Sequence, residues 1–208
     1  MKKLLILLFS LFLLSSSSVF ADDISDFSIE GMSIGDSLLD YMTEDEILEE
    51  IELYDGYQFL NEPYKYTEVY LWKDFPIYDM VSVKLLNTSS SKYISNKNEK
   101  YTILNLRGMI HYVEDFDGCI QKRDEIVVDL SKVFPNLDKR EAVFTPKDDP
   151  SGISIIDGVY FEFNSGGKAS VACYDFEETV RIKNNGSEGL EVTIDTAEIN
   201  DWLSDEII

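Results

Sequence analysis

Several segments of the chain alternate apolar and polar residues with a period of two, and this pattern constrains the fold more than any other feature. It is clearest over residues 69–72, 81–85, 159–163, 171–173 and 190–195. Successive side chains of a strand point to opposite faces of its sheet, so this alternation predicts strands with one buried face. Half-buried strands are typical of antiparallel sheets, whereas the strands of parallel sheets are apolar on both faces.

The acidic N-terminal part of the chain predicts a pair of short capped helices. Asp36 is expected to cap a helix over residues 37–42. Thr43 and Glu46 have the spacing of a capping box, which predicts a second helix that ends at Asp55-Gly56. Acidic residues in the first turn of this helix complement its dipole.

Two further helices are predicted later in the chain. Apolar residues recur every three or four positions between Gly118 and Phe134, with Asp117 as the expected N-cap and Pro135 as the helix breaker. Thr196 is expected to cap a short C-terminal helix. Helices and alternating strands without a strand–helix–strand repeat predict an α+β fold, with residues 22–208 as a single domain.

The remaining segments are assigned by their turn residues and polarity. Residues 101–113 are predicted to be one long strand that bends at Gly108. The polar residues 87–100 and residues 136–151 are predicted to be loops, with a turn at residues 148–152, Asp-Asp-Pro-Ser-Gly. Residues 164–167, Asn-Ser-Gly-Gly, predict the turn of a hairpin.

The first 21 residues have the pattern of a secretory signal peptide. Two lysines precede an apolar run from Leu4 to Leu14, and Val19-Phe20-Ala21 fits a small-residue cleavage site. The run is shorter than the roughly 20 residues that a membrane-spanning helix needs. We therefore expect export to the periplasm or the medium, cleavage after Ala21, and no membrane anchor in the mature protein.

The charge of the chain is strongly negative and unevenly distributed. The whole chain has 40 acidic and 18 basic residues, for a net charge of −22, and cleavage after Ala21 would make it −24. Residues 22–64 contain 14 acidic residues and no lysine or arginine. Nucleic-acid binding needs clustered basic residues, so we do not expect a protein of this composition to bind nucleic acids. Such an acidic segment can form a solvent-exposed face of the protein, or it can form a surface that binds a basic protein or a cation.

Cys119 and Cys173 are the only cysteines. In an exported protein they predict a disulfide that closes a loop of about 54 residues. Two thiolates without a neighbouring histidine make a poor zinc site, and a C-x-x-C redox motif is absent from the sequence. We expect a structural bridge and no cofactor.

Residues 35–38, Gly-Asp-Ser-Leu, resemble the nucleophile block of the GDSL lipases and esterases. The resemblance implies Ser37 as a nucleophile, which would need a histidine base. In that family an Asp-x-x-His motif supplies the base. Here the single histidine is His111 and Gly108 stands three positions before it. A hydrolase, with Ser37 or with a pair of carboxylates, is therefore an alternative hypothesis.

Residues 115–120, Asp-Phe-Asp-Gly-Cys-Ile, resemble part of a calcium-binding loop. With Gly118 at the sixth position of the loop, Asp115, Asp117 and Asp124 are the candidate ligands. The first position would be Val113, which has no carboxylate. A turn that begins a helix explains the same residues, and a calcium-stabilised module is a second alternative.

The segment from Phe27 to Tyr41 resembles one found in small exported proteins of marine bacteria. Its sequence is Phe-Ser-Ile-Glu-Gly-Met-Ser-Ile-Gly-Asp-Ser-Leu-Leu-Asp-Tyr, and the similarity extends through both cysteines to residues 201–203, Asp-Trp-Leu. That family has no assigned activity, so the resemblance implies a bacterial periplasmic or secreted protein and no catalytic residues. The leading hypothesis is an exported, soluble, non-enzymatic binding module of the bacterial envelope.

Overall fold

The structure, a computed structural model, describes residues 24–87, 100–147, 149–184 and 187–205. Nine strands and four α-helices lie within these residues. The strands in chain order are β1 (Ser28–Ile29), β2 (Met32–Ser33), β3 (Tyr66–Leu71), β4 (Met80–Leu86), β5 (Asn105–His111), β6 (Asp138–Phe144), β7 (Ile155–Glu162), β8 (Lys168–Asp175) and β9 (Gly189–Asp195). The signal-peptide prediction for residues 1–21 lies outside the described residues.

Strands β3 to β9 form one seven-stranded sheet in the order β3-β4-β5-β9-β8-β7-β6, and β1 pairs with β2 separately. Every neighbouring pair in the sheet is antiparallel. The last strand, β9, lies between β5 and β8 and joins the two halves of the sheet. The predicted α+β fold with an antiparallel sheet is therefore confirmed.

The helices are α1 (Glu44–Leu53), α2 (Phe116–Val133), α3 (Glu178–Asn184) and α4 (Ala197–Leu203). The capping box of α1 is confirmed: the Glu46 amide donates to Thr43 Oγ1 at 3.3 Å, and the Thr43 amide donates to Glu46 Oε2 at 2.8 Å. Thr196 occupies the N-cap position of α4 without a capping hydrogen bond from its side chain.

Two of the predicted N-caps are wrong. Asp36 accepts hydrogen bonds from the Ser33 amide and the Tyr41 hydroxyl instead of capping a helix, and the predicted helix over residues 37–42 is a 3₁₀ turn at Leu38–Asp40. Asp115, and not Asp117, caps α2 by accepting from the Gly118 amide at 3.0 Å. As a result α2 begins two residues earlier than its apolar periodicity indicates.

The assignments between the main elements also need correction. The predicted loop 136–151 contains β6, an edge strand that is exposed on both faces and therefore lacks apolar alternation. The predicted strand 101–113 is regular only over β5, which continues through Gly108. The missing Cβ atom at Gly108 leaves room for the Tyr78 ring. Helix α3 was not predicted. Residues 88–99 of the other predicted loop lie outside the described residues.

One face of the sheet is covered by α2 and forms the main apolar core. The predicted disulfide is confirmed: Cys119 of α2 is bonded to Cys173 of β8, with their Cα atoms 6.0 Å apart. Leu190 lies opposite Cys173 in the register of β8 and β9, and Val192 lies opposite Val171. All of these side chains are buried.

The other face of the sheet is only partly covered. Helix α4 packs over one end of it, where Ile199 and Trp202 contact Tyr66 and Leu60 in a second apolar cluster. The Trp202 ring meets the Tyr66 ring edge-on at 5.0 Å between centroids. Beyond this cluster the second face carries charged and aromatic side chains, which are described next.

Candidate functional site

The second face of the sheet contains a network of charged side chains at its centre. Glu68 of β3, Lys84 of β4, Arg107 of β5 and Glu191 of β9 lie on four neighbouring strands. Each alternates with residues of the apolar core, such as Val69 and Val83, so each points away from α2. The alternation that builds the core therefore also assembles this network.

Glu68 is almost completely enclosed, with 5% of its surface exposed. Its carboxylate lies 2.9 Å from Arg107 Nη2 and 3.8 Å from Lys84 Nζ. It also accepts hydrogen bonds from the hydroxyls of Ser82, at 2.7 Å, and Tyr57, at 2.9 Å. Four partners thus replace the water that Glu68 loses on folding.

These contacts keep the network charged at neutral pH. Burial alone would raise the pKa of Glu68, but the charges of Lys84 and Arg107 and the two hydroxyl donors lower it below its ordinary value. Burial would likewise lower the pKa of Arg107, whereas the carboxylates of Glu191 and Glu68 raise it. Both groups therefore hold their charge throughout the physiological range.

Arg107 connects the two carboxylates of the network. Besides Glu68, its guanidinium lies 3.6 Å from Glu191 Oε2, and it donates to Ser82 Oγ at 3.1 Å and to the Tyr70 hydroxyl at 3.3 Å. Glu191 in turn accepts from the Thr193 hydroxyl at 2.9 Å. Most donors of the guanidinium are thus occupied by groups of the protein.

A second branch of the network leads toward α4. Lys84 Nζ donates to Asn105 Oδ1 at 3.4 Å, and Asn105 Nδ2 donates to Asp195 Oδ1 at 2.7 Å. Burial raises the pKa of Asp195, and the charges of Lys84 and Lys168 together with the Asn105 hydrogen bond offset this only in part. Asp195 is therefore less well compensated than Glu68.

An open cleft of about 500 Å³ lies above the Arg107–Glu191 pair. Two pairs of aromatic rings line its sides, Tyr70 with Trp72 at the β3 side and Tyr174 with Phe176 at the β8 side. The ring centroids are 5.7 Å apart in the first pair and 5.9 Å in the second. Such a volume, with apolar walls and a few polar groups, is typical of small-molecule sites.

The floor of the cleft lies between the aromatic pairs. Met80 and Met109 supply apolar surface there, next to Arg107 and Glu191. The Tyr174 hydroxyl has no hydrogen-bond partner among the described residues. Burial and the nearby Glu191 carboxylate raise the pKa of Tyr174 well above its ordinary value, so the phenol stays protonated and can donate a hydrogen bond.

The candidate nucleophile Ser37 lies away from the only histidine. Ser37 bridges to Thr102, which precedes β5, whereas His111 is the last residue of β5. At roughly 3.3 Å per residue the two ends of this strand are about 20 Å apart. His111 is half-exposed, and its Nδ1 atom lies 3.3 Å from Asp79 Oδ2. The structure does not bring Ser37 and His111 together.

The candidate calcium ligands are also separated. Asp115 caps α2, Asp117 lies in its first turn, and Asp124 pairs with Arg123 at 2.7 Å. With a rise of roughly 1.5 Å per residue, the helix places Asp124 about 13 Å from Asp115. No group of three or more metal-ligating side chains occurs in the part of the chain that the structure describes.

Several acidic residues of the segment 22–64 have contacts within the protein. Glu30 accepts from the amides of Ile77 and Tyr78, and Glu44 pairs with Lys100 at 2.8 Å. Glu50 accepts from Trp72 Nε1 at 2.7 Å. Other carboxylates, such as Glu49 and Glu52, are exposed, and Glu46 and Glu49 of α1 lie close to Trp72.

No protein-family model, no curated protein and no solved structure matches this chain. Among the described residues, none of the helices combines the length and the apolar character that crossing a membrane requires. A functional hypothesis for this protein therefore depends on the geometry of its own structure.

The charged network and the cleft were not predicted from the sequence. Glu68, Lys84, Arg107 and Glu191 stand at the polar positions of alternating strands, where solvent exposure is the ordinary expectation. One signal was available: charges of both signs recur at these positions in several strands. Opposite charges at polar positions of neighbouring strands indicate that the polar face of the sheet is partly covered and that its charged side chains pair with one another.

Proposed function

We propose that this is an exported, non-enzymatic binding protein whose ligand occupies the cleft between the two aromatic pairs. The observation that supports it is the construction of the cleft: partly exposed aromatic side chains flank charged groups that are already paired within the protein. A built apolar cleft with a few polar groups on its floor is the usual form of a ligand site.

The charge states of the floor favour binding over acid–base catalysis. A general acid or base works best when its pKa lies near the working pH. The pKa of Glu68 is lowered and those of Arg107 and Tyr174 are raised, so all three move away from neutrality. The site therefore presents fixed charges and a fixed donor, which suit recognition.

Two features support export. Residues 1–21 have the sequence pattern of a cleaved signal peptide. The Cys119–Cys173 disulfide suits an oxidising compartment. N-terminal sequencing of the protein from the periplasm or the medium should begin at Asp22. A protein that stays in the cytoplasm with its first 21 residues intact would contradict export.

The two tryptophans allow a direct test of the cleft. Trp72 lines the cleft and is 74% exposed, whereas Trp202, on the buried side of α4, is 4% exposed. We propose to screen small aromatic compounds by thermal shift and to measure tryptophan emission with Trp72→Phe and Trp202→Phe variants. Compounds that bind in the cleft should change the emission of the Trp202→Phe variant, which retains Trp72, and leave that of the Trp72→Phe variant unchanged.

The same protein distinguishes binding from hydrolysis. Hydrolysis of p-nitrophenyl acetate should not depend on Ser37, because this residue lies far from His111. The Ser37→Ala variant is therefore expected to match the original protein in this assay. Loss of esterase activity in that variant, or bound compounds that leave the Trp72 emission unchanged, would overturn the proposal.

A further inference from the structure

The nature of the cleft also indicates the charge of its ligand. The charged residues that line the cleft are Arg107 and Glu191, and the buried Glu68 pairs with Arg107 from outside the lining. Lys84 lies farther away and is directed toward Asn105. Because Arg107 and Lys84 are both engaged with Glu68, the Glu191 carboxylate is the charged group of the lining that offers acceptor oxygens to a ligand.

The donors of Arg107 are poorly available to an anionic ligand. Its Nη2 atom contacts Glu68 and the Tyr70 hydroxyl, and its Nε atom donates to Ser82. An anion would have to displace a carboxylate from a well-formed ion pair, and that would leave the carboxylate buried without a partner. Arg107 therefore acts as a support for the two carboxylates.

The aromatic walls favour a cation for a separate reason. The face of an aromatic ring has a negative potential and attracts an ammonium or guanidinium group within about 6 Å. Tyr70 and Trp72 on one side and Tyr174 and Phe176 on the other present such rings to the same space. Their apolar surface also suits the hydrocarbon part of an organic cation.

The charge of the surrounding protein acts in the same direction. The chain has a net charge of −22, and the acidic helix α1 contacts the cleft wall through the hydrogen bond between Glu50 and Trp72. A negative surface potential raises the local concentration of cations and repels anions. The net charge of the protein and the groups that line the cleft therefore both favour a cationic ligand.

We propose that the cleft binds a small organic cation, with an ammonium or guanidinium group near Glu191 and an apolar body between the aromatic walls. This inference rests on the proposed binding function and specifies the ligand class of the same site.

Three probes with the same aromatic body test the inference: phenethylammonium, phenethyl alcohol and phenylacetate. Isothermal titration calorimetry should give phenethylammonium an affinity at least about tenfold higher than that of either of the others, a difference of about 1.4 kcal/mol. Its affinity should fall as salt rises, because the protein's field is screened.

Two variants and one control locate the site. Glu191→Gln should lower the affinity for phenethylammonium about tenfold and leave that for phenethyl alcohol within about twofold. Trp72→Ala changes an exposed side chain and should weaken both, so it remains informative if Glu191→Gln does not fold. Asp138→Asn on the distant strand β6 removes the same charge and should change neither affinity by more than about twofold.

The possible failures are distinguishable. Equal affinities for the three probes, or a preference for phenylacetate, would overturn the cation inference and leave the cleft as a binding site if Trp72→Ala still weakened binding. No binding of any probe to the folded protein, or binding that neither cleft variant changes, would contradict both the inference and the proposed function.

Discussion

The face of the sheet that carries Cys173 and the face that carries Glu68 both contain buried side chains, but different interactions compensate for their burial. Apolar side chains from α2, β8 and β9 fill the first face, and a disulfide joins the helix to the sheet. On the second face Glu68, Lys84 and Asp195 lose water and receive charged or hydrogen-bonding partners in return.

This difference determines how each face responds to a change. An apolar side chain that is shortened loses its own transfer energy and leaves a cavity. A paired charge that is removed leaves its partner buried and uncompensated, so the loss of one group can cost more than the loss of both. The stability of the second face therefore depends on pH and on which partners of a charged pair are replaced together, whereas that of the first face does not.

The largest expected effect is on the first face. Replacing Cys119 and Cys173 together by alanine should lower the free energy of unfolding by about 4 kcal/mol, because the unfolded chain regains the entropy of an open loop of about 54 residues. Urea unfolding of the oxidised protein and the double variant measures this difference. A loss below about 1 kcal/mol would show that α2 is held by packing alone.

The next effect tests the second face. Arg107→Met should destabilise the protein by about 3 kcal/mol, because Glu68 and Glu191 both lose their guanidinium partner. Adding Glu68→Gln should recover part of this loss, since one of the two stranded charges is then removed. Urea unfolding of Arg107→Met, Glu68→Gln and the double variant gives the coupling free energy between the two side chains. A double variant that is less stable than Arg107→Met would contradict this account.

The pH dependence separates the two faces. The folded-state pKa of Glu68 lies below its ordinary value of 4.5, so its stabilisation is complete above about pH 4.5 and disappears as the pH falls through the folded-state pKa. Glu68→Gln should therefore cost about 2 kcal/mol at neutral pH and progressively less in acid.

Leu190→Ala on the first face is the matched control for this pH series. It should cost about 3 kcal/mol at every pH, because no titrating group is removed. Unfolding in urea between about pH 7 and pH 3 gives both profiles. Parallel profiles for the two variants would refute the distinction between the faces.

The smallest expected effect has the opposite sign. The folded-state pKa of Asp195 lies above its ordinary value of 3.8, so its ionised form lowers stability at neutral pH and this penalty vanishes below about pH 3.8. Asp195→Asn should stabilise the protein by less than about 1 kcal/mol at pH 7, because the amide oxygen can keep the Asn105 hydrogen bond. Thermal unfolding at neutral and acidic pH checks this. A destabilised variant would mean that attraction to Lys84 outweighs burial.

The parts of the fold that the sequence predicts are those with a local signature. The sequences of β4 and β9 alternate between apolar and polar residues because one face of each strand meets the apolar core. Thr43 and Glu46 form reciprocal hydrogen bonds at the N-terminus of α1, and these depend on no other part of the chain. Strand β6 escapes prediction because both of its faces are exposed at the sheet edge. Asp36 is of a residue type that favours N-caps, but its carboxylate accepts hydrogen bonds from the Ser33 amide and the Tyr41 hydroxyl instead.

The candidate site is less predictable than the fold, since it depends on what covers the polar face. Arg107 occupies a polar position of β5, and nothing local to this strand shows that Glu191 lies on the neighbouring strand β9 and Glu68 two strands away on β3. Strand order and the position of α4 are properties of the whole chain. Trp72 and Phe176 follow their strands by one residue and become cleft walls only through that order.

The disulfide also has a consequence for the timing of assembly. Both sulfur-bearing residues are almost completely buried, Cys119 at 1% and Cys173 at 0% exposure. An oxidant or an isomerase can reach these thiols only before α2 has packed on the sheet. Oxidation must therefore accompany folding, and once α2 is in place a reductant has to wait until the helix opens.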